Sequence, residues 1–280
     1  MLKTWAFYSG YGLLMAFLAA AVTIFYGPGA AGSGVPEVMG MMNGVNYPGA
    51  TLVTTLIAKI FGVVLAVVGN LCVGKEGPLV HIGAIIGLMV PYMPFEAFRC
   101  FRNEIDKRAF LAAGGSAGVS AAFGAPIGGA LFTYEISKPN TFWTFSMLWR
   151  VFFTSAISTF TLGFWQQMMD GGTISLNAAA ALKFGTIEIL TSPMTDAPIA
   201  VFIGIVSGLL GAFFVYTYAS LGVFRKKYIN TNFLKMSEVL LLSFVTSSLF
   251  YWLSAWKGNE VCQIEDETFD EYYAFTCPTG

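Results

Sequence analysis

The chain has 280 residues, 56% of them apolar and 11% charged, against about 25% charged in an ordinary soluble domain, too little polar surface to clothe a water-soluble enzyme. A net charge of −1 with a single histidine excludes the basic face that a nucleic-acid binder needs. The composition is that of an integral membrane protein.

Apolar segments fall, in chain order, near 4–26, 51–70, 76–93, 109–135, 145–167, 198–224 and 234–256. The first follows Lys3 and precedes Ala30-Ala31-Gly32, which imitates a signal peptide with its cleavage site. Its apolar run is too long for a signal core and long enough for about 30 Å of hydrocarbon, so a retained membrane helix is expected. Breaks precede or interrupt the segments at Gly27-Pro28, Gly32-Ser33-Gly34, Gly77-Pro78 and Gly124-Ala125-Pro126. In water these would be turns. In a bilayer, freed backbone groups must be paired or must line a wet cavity, so repeated breaks point to a pathway.

Arg99, Arg102, Lys107 and Arg108 form one basic loop; Arg225, Lys226, Lys227 and Lys235 form another. The excess of positive charge on cytoplasmic loops assigns both to the cytoplasm. The span near 234–256 then carries the chain end to the opposite side. There Glu260, Glu265, Asp266, Glu267, Asp270 and Glu271 occur with no Lys or Arg after Lys257. Residues 1–257 are read as a membrane domain and 258–280 as an acidic lumenal or extracellular loop, cut short. Cys262 and Cys277 lie in that loop, on a side where disulfides persist; a bridge between them and two free thiols both stay open. Cys72 and Cys100, in or beside apolar stretches, are expected to pack as small hydrophobes.

Three stretches carry chemistry: Gly32-Ser33-Gly34-Val35-Pro36-Glu37, then Gly74-Lys75-Glu76-Gly77-Pro78, then Ala112 through Gly124-Ala125-Pro126 to Glu135, rich in Gly and Ala. The first two read as loops feeding helix N-termini, whose unpaired N–H groups and partial positive charge make anion sites. Ser33 adds a hydroxyl donor without a fixed charge, so an anion can bind and still leave. Glu76 sits at the second helix start. It reads either as an acidic residue favouring that start or, being ionisable within a membrane, as a functional group, a tethered anion that competes with the permeating one. Gly69-Asn70-Leu71-Cys72-Val73-Gly74-Lys75 has the spacing of a nucleotide-binding P-loop, but Glu76 stands where that motif needs Ser or Thr for magnesium. His81 alone, within an apolar helix, builds neither a His-based metal site nor a catalytic triad. No enzyme, metal or redox cofactor is implied.

Taken together and in this order, the three stretches resemble the CLC family of chloride channels and chloride/proton exchangers. The resemblance implies an all-α, multi-pass membrane protein with broken, re-entrant and tilted helices, of which the chain covers roughly the first half of the membrane domain. It implies that Ser33, Gly34, Val35, Gly77 and Pro78 belong to the chloride site and that Glu76 is the gating glutamate. Lys59 resembles a buried family lysine that makes the pathway more positive; the alternative is a snorkelling side chain. The partners implied are chloride and other small anions, the lipid bilayer and a second copy of the chain. The loop 99–108 and Trp149-Arg150-Val151-Phe152-Phe153 look most like the late endosomal and lysosomal branch.

Two departures matter. Exchangers of the family usually carry Glu-Glu near the end of the third stretch, the second accepting protons from the cytoplasm; here the pair is Glu135-Ile136. Ile136, a lost proton site, cannot titrate, which favours a channel; the alternative is an antiporter. The family's later Gly-x-Phe-x-Pro loop and nucleotide-sensing domains are not found, so the chain is read as a fragment or incomplete gene model. A non-transporting membrane subunit is the alternative from another class.

Overall fold

The computed structural model describes residues 2–137, 143–169 and 197–261; Cys262 and Cys277 lie outside the described residues. Among the described residues the regular structure is all helical. The α-helices among them are α1 (Leu2–Ala21), α2 (Val35–Met42), α3 (Val53–Val68), α4 (Glu76–Met89), α5 (Glu104–Phe123), α6 (Pro126–Ser137), α7 (Phe145–Met169), α8 (Ala197–Tyr228) and α9 (Asn232–Val261).

Leu2–Tyr26, Phe145–Met169, Ala197–Tyr228 and Asn232–Ser254 are long and apolar enough to cross a membrane. The elements between the first two of these are not. With 8, 16 and 14 residues, α2, α3 and α4 rise only about 12, 24 and 21 Å, short of about 30 Å of hydrocarbon. Their ends therefore fall where backbone must be satisfied inside the protein. Large apolar side chains such as Phe7, Phe61 and Phe153 stay exposed on the outside, as lipid-facing surfaces require. The protein is an integral, multi-pass membrane protein.

The chain divides into two compact units, 1–182 with 239–280, and 183–238. In the first, a core of Val38, Met42, Val80, Ala84, Leu111 and Val151 joins α2, α4, α5 and α7. The tightest packing is between α4 and α5. A Cβ at Gly83 would fall on the Gly114 carbonyl oxygen, and one at Gly114 on that of Gly83. Two backbones in direct contact need small residues at i and i+4, as in membrane helix pairs generally. Across the other side of α5, the Ser116 and Ser155 hydroxyls bond at 2.5 Å and Ser158 donates to the Ala117 carbonyl at 3.0 Å, fixing α7. The stretch 109–135 is, as expected, a broken pair: α5 ends at Phe123, Gly124 takes φ 64°, and Pro126 opens α6.

From residue 239 onward α9 packs on α1 and the end of α3: Ser243 donates to the Gly69 carbonyl at 2.9 Å, and Trp5 donates to Ser248 at 3.3 Å. In the second unit, Arg225 holds Glu238 through two bonds of 2.5 and 2.8 Å across the turn from α8 to α9. The expectation that Cys72 and Cys100 pack as small hydrophobes fails, since both are exposed.

Candidate functional site

The site begins in the loop between α1 and α2. A 3-10 turn, Pro28–Ala30, is pressed onto α3, where a Cβ at Gly27 would collide with that of Ala58. Lys59, 3% exposed and near the middle of α3, donates from Nζ to the Ala30 carbonyl at 2.9 Å and the Gly32 carbonyl at 2.8 Å. An ammonium on a flexible stem thus satisfies two carbonyls that a broken helix leaves free. Lys59 is buried in the protein and does not snorkel.

The chain then turns into α2 through Gly34, at φ 85°. Only glycine suits this position: the backbone is left-handed, and a Cβ would fall on the imidazole of His81. The exposed Ser33 accepts a hydrogen bond on Oγ from the Val35 N–H at 3.3 Å. Because a hydroxyl accepts and donates independently, its own proton remains free to donate outward.

The helix start on α4 comes to the same place. α4 opens at Glu76, as the sequence implies. Its first intrahelical bond runs from the Leu79 N–H to the Lys75 carbonyl at 3.0 Å, which leaves the Glu76 and Gly77 N–H groups without intrahelical acceptors, while Pro78 has none to offer. A Cβ at Gly77 would stand 2.7 Å from the Ser33 Cβ. Ser33 therefore meets Gly77, and Gly34 meets His81, where the N-termini of α2 and α4 converge, with Val35 and Pro78 the next residues along each chain segment. The Glu76 carboxylate folds back over Gly74, where a Cβ would collide with its Oε2. It is half-buried, and among the described residues no hydrogen bond or ion pair engages it. Two helix starts, a free hydroxyl proton and one uncommitted carboxylate can receive a small anion, with the carboxylate as its competitor.

Ile136 lies elsewhere, near the end of α6, packed against the apolar core. Its neighbour Glu135 is exposed.

The structure adds two residues that sequence reasoning did not place in the site. His81, fully buried on α4, lies 2.9 Å through Nε2 from the Ala50 carbonyl. Since a carbonyl only accepts, Nε2 carries the proton. Among the described residues the other ring nitrogen, Nδ1, is buried without a hydrogen-bond partner, as is Oε2 of Glu37. The available signal was ionisable residues within apolar helices; the contacts themselves join positions far apart in the chain.

Comparison with known proteins follows the same lines. The family profile described as "Voltage gated chloride channel" matches residues 15–274. The "H(+)/Cl(-) exchange transporter 7" of Mus musculus is 38% identical over 245 residues, covering 84% of this chain and 30% of its own. "Chloride channel protein C" of Dictyostelium discoideum is 36% identical over 287 residues, covering 97% of this chain and 38% of its own. The chain thus spans about a third of the length of these relatives. A crystal structure of a eukaryotic CLC transporter superposes with a TM-score of 0.71 at 23% identity, covering 94% of this chain and 44% of its own. The fold is that of a partial CLC membrane domain.

Proposed function

The chain belongs to the voltage-gated chloride channel family, and from that premise we propose that it moves chloride across a membrane through the convergence of α2 and α4. The observation that carries this reading is Ser33 lying against Gly77, which puts a hydroxyl donor and two helix N-termini at one point. In this reading Ser33, Gly34, Val35, Gly77 and Pro78 contact the ion and Glu76 gates it. Lys59 contributes positive charge from beneath and holds the loop to its shape.

Transport is channel-like, because Ile136 has no proton to take up or release. The second reading, a chloride/proton antiporter, is supported by the name of the mouse relative, an H(+)/Cl(-) exchange transporter. We further assign the protein to an endosomal or lysosomal membrane, as a homodimer, by likeness to the family. Residues 258–280 are assigned to an acidic loop on the side away from the cytoplasm.

Ser33→Pro tests the site. It removes the donor to the ion and the acceptor of the Val35 N–H together. With the protein expressed from its own gene and reconstituted in liposomes, the preference for chloride over nitrate should fall by about tenfold, as loss of a hydrogen bond to a charged group implies. Unchanged selectivity in a well-expressed variant would remove Ser33 from the site.

A further inference from the structure

We propose that His81 is a specificity-determining positioning residue of this site, the bed on which the Ser33-Gly34 segment lies. The inference rests on the reading that the site takes an anion. Gly77 and His81 are four residues apart on α4 and so share one face of the helix. Ser33 lies against the first and Gly34 against the second, where a Cβ would fall on Nδ1 and Cγ of the imidazole. The ring therefore sets how far the Ser33 hydroxyl stands from the free amides of α4.

The ring is itself held from the far side. Its Nε2–H donates to Ala50, a buried residue at the end of the 3-10 turn Pro48–Ala50 between α2 and α3. That turn is anchored by Thr55 of α3, which donates to the Gly49 carbonyl at 2.9 Å. The segment 27–34 touches the same turn, since a Cβ at Gly29 would collide with the Gly49 oxygen. One imidazole thus ties together the two loops flanking α2 and the first turns of α4. A side chain that only filled the space would leave the Ala50 carbonyl buried without its donor and the ring plane unfixed. Chloride and nitrate differ in shape and hydrogen-bonding geometry rather than in charge, so a change in this spacing acts on their ratio.

His81 is the sole histidine of these 280 residues, so nitrogen-15 histidine labelling of this chain reports one ring. In the wild-type protein purified in detergent, the resonances should show the proton on Nε2, with an Nδ1 signal that moves when chloride replaces gluconate. A proton on Nδ1, or a signal indifferent to chloride, overturns the proposal without requiring any variant to fold. In liposomes, His81→Phe, which keeps a ring and loses the donor, should raise the nitrate-to-chloride ratio by about fivefold. His81→Gln, whose amide can still donate to Ala50, should restore most of the wild-type ratio. A wild-type ratio in His81→Phe while Ser33→Pro is shifted overturns the role of His81 alone. Absence of chloride transport in the wild-type protein overturns the anion reading as well.

Discussion

Glu76→Gln is expected to raise chloride transport at neutral pH by about tenfold, the scale of one partly buried charge at a helix N-terminus, and to flatten its response to acid. The carboxylate occupies the first turn of α4, beside N–H groups without intrahelical acceptors, and makes no hydrogen bond or ion pair among the described residues. Nothing in the fold therefore requires its charge, while the helix start attracts it as it would attract chloride. Glutamine keeps the shape and removes the charge, mimicking the protonated acid. The measurement is chloride flux from liposomes as a function of lumenal pH, and a variant with the full wild-type pH dependence would count against gating by Glu76.

Lys59→Met is expected to lower transport and stability together. Methionine nearly matches the stem of lysine but supplies no donor, so the carbonyls of Ala30 and Gly32, bonded at 2.9 and 2.8 Å, both lose their partner. Two hydrogen bonds to a charged group, one of them buried and one partly so, are worth about 3 kcal/mol. The loop they hold carries Ser33, so transport should fall by at least tenfold, on the order of one displaced donor, with a lower melting temperature in detergent. Lys59→Arg keeps the charge but brings a planar fork to a position that accepts a compact ammonium, and should recover only part of either. Full transport and an unchanged melting temperature in Lys59→Met would remove the lysine from both roles.

The broken-helix plan was legible because its punctuation is local. Gly124 and Pro126 end one helix and open the next by their own backbone chemistry, and Pro28 and Gly34 do the same around α2. The glycines of α5 were legible as small residues, but not as the partners of Gly83 on α4, because a residue without a side chain does not declare which neighbour it admits. Lys59 was legible as buried. Its acceptors lie 29 and 27 positions away, and no spacing rule connects a helix interior to a distant loop carbonyl. The contact of His81 was not legible for a related reason. A lone histidine on an apolar helix builds no metal site or triad, and its contact with Gly34 depends on how α2 and α4 converge. Cys72 and Cys100 were read as packed from the apolar residues around them, but in a membrane protein apolar neighbours also mark outward-facing surface.

The most direct test is to impose a chloride gradient across liposomes containing the protein and to record chloride movement and lumenal pH together. Chloride flux well above protein-free liposomes, with no sustained uphill movement of protons, is the result expected of a pathway whose position 136 is isoleucine. Sustained uphill proton movement, abolished by Glu76→Ala, would contradict the channel form and establish an exchanger, and chloride flux no greater than in protein-free liposomes would contradict chloride transport itself.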